Sequence, residues 1–253
     1  MKRNHTTFSK AALLLACLSV GIVFTISSCK KDDSTTTDAI SDDDVSEVVG
    51  QSVSTQSSGL VVQSTAAAGM ASDFSAARAS AKLTDQCGIM HDTTIARTSE
   101  PGAAITFSYN CSWNWLLTCN NLVPQTYVWN YTGKASYDAP RMSSNDSSKA
   151  NITITGLDGD SSNYVFSETY VRNGSQTSKI NEKRSFTSVI TITTADVRIN
   201  KSTLKVISGT GTVSITGTLT SGKTFTRTGT ITFMGNDKAT LALTNGKSYT
   251  IEW

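Results

Sequence analysis

Proline, histidine and long apolar runs are what this 253-residue chain has least of: three prolines, two histidines, and no apolar run beyond the 16 residues Ala11 to Ile26. So few prolines leave β-strands free to run uninterrupted, because proline is confined to edges, strand starts and bulges. His91 is the only histidine after His5, and no Gly-x-Ser-x-Gly elbow accompanies it, so Ser-His-Asp hydrolysis lacks its parts. His-Glu-x-x-His and a phosphate-cradling glycine loop are also missing, and Gly209-x-Gly211 lacks the third glycine of a dinucleotide fingerprint. The chain therefore reads as no enzyme, with no cofactor and no metal. Nucleic acid finds little to grip. The 17 basic and 13 acidic residues from position 48 onward are dispersed, with no basic cluster interleaved with aromatics.

Acid is absent from the first 31 residues, whereas Lys2, Arg3 and Lys10 precede or open the apolar run. A membrane-spanning helix needs about 20 apolar residues, so the run reads as the core of a signal peptide. It ends in "ISSC", two small residues before Cys29, followed at once by "KKDD". An ordinary cleaved signal with Cys29 incidental, or an uncleaved anchor, are the alternatives. The ending resembles the lipobox of bacterial lipoproteins, and that resemblance implies a diacylglyceryl group on the Cys29 sulfur and a third acyl chain, such as palmitate, on its amine. Each buried CH₂ contributes about 0.8 kcal/mol, and two or more chains give stable attachment where one does not. "KKDD" is similar to the charged segment behind the lipidated cysteine in surface lipoproteins of the Bacteroidota. It implies export to the outer face of the outer membrane, and so a membrane partner through the N-terminal lipid.

Four segments follow. Residues 1–28 are the signal peptide, and 29–41 the lipid anchor with a flexible tether; a dozen polar residues span roughly 20 Å as random coil. Seven acids and no base fall in 32–47. Residues 42–83 form a short helical, low-complexity segment. Ser41 and Asp44 make a capping box, and Val45, Val48, Val49 and Val53 recur at helical spacing, which predicts a helix near 42–56. A second, Ala/Ser-rich helix is expected between about Ser72 and Leu83. Residues 84–253 are the β-rich domain. From Ala103 onward, β-branched and aromatic residues alternate with polar ones, and threonine supplies 14 of the last 51 residues. Asn173-Gly174, Ser221-Gly222 and Asn245-Gly246 have the chemistry of hairpin turns. In the last meander Phe225, Ile231 and Phe233 face one way and the threonines from Thr224 to Thr232 the other. The fold class is mainly β: about nine antiparallel strands in a strongly curved sheet or partly closed barrel, the helices at an end or inside. A two-sheet sandwich is the alternative.

"GTITFMGNDKATLALTNGKSYTIEW" (229–253) resembles the ending of a family of uncharacterised Bacteroidota lipoproteins, and the region from Cys87 to Tyr137 is more loosely similar to that family's middle. That ending often carries a cysteine where this chain has Asp237. The family has no established activity to transfer. The resemblance implies fold and address.

Of the cysteines after Cys29, two of Cys87, Cys111 and Cys119 are expected to pair in an exported chain. Cys87–Cys111 is favoured, with Cys111–Cys119 the alternative. Cys87-x₃-His91 with Cys111 and Cys119 offers zinc-type ligands at spacings structural zinc sites do not use. Trp113 and Trp115, in "CSWNWLLTC", are candidates for an exposed ligand contact, since flat rings stack on sugars; Tyr127, Trp129 and Tyr131 are expected in the core. Asp158, Asp160 and Ser162 begin a calcium-loop pattern that then fails: Asn163 replaces its glycine and Thr169 its bidentate glutamate. Glu168, Glu182 and Asp196 are expected to face solvent. Function is thus expected to be that of a non-catalytic binding or structural module, with glycan as one ligand class. A lipocalin-like carrier of a hydrophobic ligand is the alternative.

Overall fold

The structure is a computed structural model and describes residues 39–54, 57–78, 86–180 and 183–253. Two helices lead: α1 (Asp42–Val53) and α2 (Leu60–Arg78). Ten strands follow: β1 (Met90–Thr98), β2 (Thr106–Asn120), β3 (Val123–Asp138), β4 (Met142–Thr155), β5 (Asn163–Ser178), β6 (Ser185–Asn200), β7 (Val206–Leu219), β8 (Thr224–Gly235), β9 (Lys238–Leu243) and β10 (Ser248–Glu252). They form one antiparallel meander in sequence order, in which β1 and β10 are not paired with each other. One curved, unclosed sheet thus replaces the sandwich alternative, with ten strands rather than nine.

α1 begins as its sequence dictates. The Ser41 hydroxyl accepts from the Asp44 amide at 3.0 Å and donates to the Asp44 carboxylate at 2.7 Å, satisfying an otherwise orphan N–H. Val45, Val48, Val49 and Val53 are all buried, and each such side chain contributes on the order of 1.5–3 kcal/mol. α2 starts well before Ser72, the expected start. Its first turns carry the buried Gln63 and Ser64, which break the apolar period and disguise the helix.

The curl of the sheet follows from what α1 touches. Ser178 of β5 donates to Asp44 at 2.5 Å, while Tyr249 of β10 donates to Asp43 at 3.2 Å. In a flat sheet those strands would lie about 24 Å apart at ~4.8 Å spacing. One helix, about 10 Å across, can reach both only if the sheet wraps around it. The helices cover the inner face, where Trp129, Tyr127, Tyr131, Phe166, Tyr170, Ile152 and Ile154 are fully buried. Tyr127, Trp129 and Tyr131 therefore lie in the core, as expected.

Two of the three expected turns are present. Ser221-Gly222 joins β7 to β8, and Asn245-Gly246 joins β9 to β10 with Gly246 at φ +91, a conformation L side chains rarely adopt. Asn173-Gly174 is not a turn but the middle of β5. Gly174 serves there by having no side chain: a Cβ would fall 2.4 Å from Asp146 Cβ.

Candidate functional site

Strand alternation sorts every side chain onto one of two surfaces. The inner surface carries a polar cluster where α1 and α2 meet β4 and β5. Arg172 Nη2 donates to Asp146 Oδ2 at 2.6 Å and Nη1 to the Gln51 carbonyl at 2.9 Å. The Tyr131 hydroxyl lies 2.8 Å from Ser148 Oγ and 3.1 Å from Ser58 Oγ. Glu168 accepts from Ser64 at 2.9 Å. Its burial pushes the pKa from 4.5 up to about 7, against the Ser64 hydrogen bond, which pulls the other way. Asp146, Glu168 and Arg172 are all buried, beneath the helices. This cluster ties the helices to the sheet.

The outer surface is hydroxyl and amide. Pairing register aligns its residues in rows across the strands: Asn110, Lys134, Ser147, Asn173 and Val189 in one, Ser112, Thr132, Lys149, Val171 and Thr191 in the next. A third row carries an amide ladder. Asn130 donates to Asn114 at 2.9 Å, and Asn151 donates to Asn130 at 2.7 Å. The first two rows, Thr191 excepted, line an open groove of about 610 Å³ on β2–β6. Lys134 and Lys149 stand exposed in it, on adjacent strands and offset by two residues; such diagonal neighbours lie about 7–8 Å apart. Neither has an ion-pair partner among the described residues. Alternation alone does not reveal this groove, because its residues come together only through the register of five strands.

The expected site residues are placed as follows. Cys29, the expected lipidation site, lies outside the described residues, as does Glu182. The disulfide joins Cys87 to Cys119, and Cys111 is free and buried. The favoured Cys87–Cys111 pairing is thereby corrected, and so is its alternative. β1 pairs antiparallel with β2 so that Met90 sits opposite Leu116, which carries the residues before β1 to the far end of β2, beside Cys119. Two of the zinc-type sulfur ligands are thus joined to each other.

Trp113 and Trp115 do not form an exposed loop. Both lie within β2 on the inner surface. Trp115 is buried, stacked between His91 at 5.6 Å and Trp129 at 5.4 Å. Trp113 is half-buried, packs on Trp129 at 5.0 Å and donates its Nε1–H to Gln63 of α2 at 2.8 Å. Register explains the stack, since His91, Trp115 and Trp129 are direct cross-strand partners. Asp158, Asp160 and Ser162 occupy the β4–β5 loop, where Asp158 accepts from the Ser161 amide at 2.9 Å. Glu168 is a correction, buried rather than solvent-facing. Asp196 is exposed and paired with Arg198 at 3.3 Å.

No protein-family model, no curated protein and no solved structure matches this chain. Among the described residues no helix is long and apolar enough to cross a membrane.

Proposed function

We propose that this chain is a lipid-anchored, non-catalytic binding module held through Cys29 on the outer membrane and facing the cell exterior, with glycan as its ligand class. The observation that carries the reading is the "ISSCKKDD" junction, placed after a basic start and a run too short to span a bilayer. Lipid at Cys29 would leave only nine residues before Ala39, where the described body begins.

Two features of the body support a binding surface over chemistry or carriage. The buried ionisable groups Glu168, Asp146 and Arg172 are covered by α1 and α2 rather than converging in an open cleft, and His91 is stacked on Trp115. A carrier would need an empty apolar interior of several hundred Å³. The inner face is instead filled by the helices and by Trp129, Tyr127, Tyr131 and Phe166. The outer surface exposes rows of hydroxyl and amide groups that a partner could reach.

The test is a Cys29→Ser variant expressed in the native host, followed by membrane fractionation and protease treatment of intact cells. Wild type is expected in the membrane fraction and open to protease from outside; the variant is expected to leave the membrane or remain unprocessed. Unchanged membrane recovery of the variant would refute the anchor. A glycan array probed with the natively purified protein tests the ligand class on its own.

A further inference from the structure

The outer face has a charge pattern that composition does not reveal. Across the exposed rows of β2–β8, carboxylates stand only at the margins: Asp138 at the end of β3, bonded by Lys179, and Asp196 at the irregularity in β6, paired with Arg198. Between them the only charged side chains on that face are Lys134 and Lys149, both in the groove. Those rows also contain no tryptophan, tyrosine or phenylalanine, since the aromatics of β2–β8 all belong to the opposite phase. A ligand there is gripped by hydrogen bonds and charge, not by ring stacking.

We infer that the groove over Lys134 and Lys149 binds an acidic polysaccharide of the polyuronate type, its carboxylates held by the two ammonium groups and its hydroxyls by the flanking rows. The inference rests on the binding-module reading and names the ligand of that surface. Three observations converge on it. The groove holds two cations without ion-pair partners among the described residues, and hydrogen bonds from such cations to carboxylate are about twice as strong as neutral ones. Asn110, Ser112, Thr132, Ser147 and Asn173 put donors and acceptors at the strand spacing of about 4.8 Å, a period of the same order as the rise per sugar in an extended chain. Val171 and Val189 give the groove an apolar floor for the non-polar face of a sugar. Nucleic acid fits less well, because single strands bind by stacking bases on aromatic rings and these rows have none.

The experiment measures binding of the purified chain to polygalacturonate, with dextran as the neutral polysaccharide and single-stranded DNA as a non-sugar polyanion. Polygalacturonate is expected to bind and to weaken as salt rises, while dextran and DNA bind much more weakly. The double variant Lys134→Gln/Lys149→Gln is expected to lose roughly tenfold or more, the effect of removing two charge-assisted contacts. Lys238→Gln, a surface lysine outside the groove, is expected to bind like wild type. Equal binding of DNA, or equal losses in both variants, would overturn the inference by showing unspecific attraction. Binding of dextran untouched by the double variant would overturn it while leaving the binding module intact. Polygalacturonate failing to bind would overturn it as well, and the glycan array would then decide separately whether the module binds any sugar.

Discussion

Arg172 of β5 and Asp146 of β4 meet at 2.6 Å with their side chains withdrawn from water, and the same guanidinium reaches the Gln51 carbonyl in α1. The contact ties the neighbouring strands β4 and β5 to α1, whose Gln51 lies more than ninety residues earlier in the chain. It also explains Gly174 in mid-strand, since Gly174 pairs directly with Asp146 and a Cβ there would collide with it. Desolvating two charges is costly, so such a pair need not add net stability, yet removing one partner leaves a buried charge alone.

Arg172→Met is therefore expected to destabilise the fold by about 3–5 kcal/mol. The double variant Arg172→Met/Asp146→Leu is expected to recover much of that loss. Urea unfolding of the four proteins in a double-mutant cycle measures the coupling. Additive effects of the two changes would contradict a paired, buried contact.

Glu168 sets the pH dependence of stability at the neutral end. Its pKa rises on folding from 4.5 to about 7, so the fold favours the protonated carboxyl. The stability from this group is complete below about pH 4.5 and is lost as pH rises through about 7, at most about 3 kcal/mol. Glu168→Gln, which keeps an acceptor for Ser64, is expected to match wild type near pH 5 and to exceed it at pH 8. Thermal melts across that range test this; parallel curves for the two proteins would sink it.

Asp42 acts at the acid end. Its burial alone would raise the pKa, but hydrogen bonds donated by Arg227, Lys247 and Asn245 outweigh that and hold it below the usual carboxylate value. A lowered pKa contributes stability above the unfolded-state value, and that contribution disappears on acidification. Asp42→Asn is expected to flatten the loss of stability below pH 4 and to weaken α1 docking at pH 6. Hydrogen exchange of the α1 amides reads the second effect, and unchanged protection at pH 6 would count against it.

The Cys87–Cys119 disulfide spans 32 positions and should stabilise by about 3–4 kcal/mol in the chain-entropy model. Cys119→Ser is expected to lower the melting temperature and to leave free thiols on both Cys87 and Cys111. Cys111→Ser is expected to leave the bridge intact. Peptide mapping without reductant distinguishes them, and a bridge to Cys111 in the wild type would contradict the fold at β1.

What was legible in the sequence were the local signals: the Ser41–Asp44 cap, the valine spacing of α1, the alternation of the last meander, and the turns at Gly222 and Gly246. What escaped depends on register. β1 is "MHDTTIART", in which only Ile95 is apolar at the inward positions, so no alternation marks it and the partner of Cys87 could not be read. Asn173-Gly174 has turn chemistry but serves packing. Glu168 and Arg172 were readable in principle, because they continue the inward phase of Tyr164, Phe166 and Tyr170 and pack there too. A charge in phase with buried aromatics is a signal for a buried ionic contact. The groove of Lys134 and Lys149 had no such signal, since strand pairing alone makes those residues neighbours.

Intact-mass and N-terminal peptide analysis of the protein purified from its own membranes weighs most directly on the proposed account. The expected result is a chain starting at Cys29 and carrying thioether-linked diacylglycerol with a further acyl chain on its amine. A first residue other than Cys29, or a Cys29 without fatty acid, would contradict it.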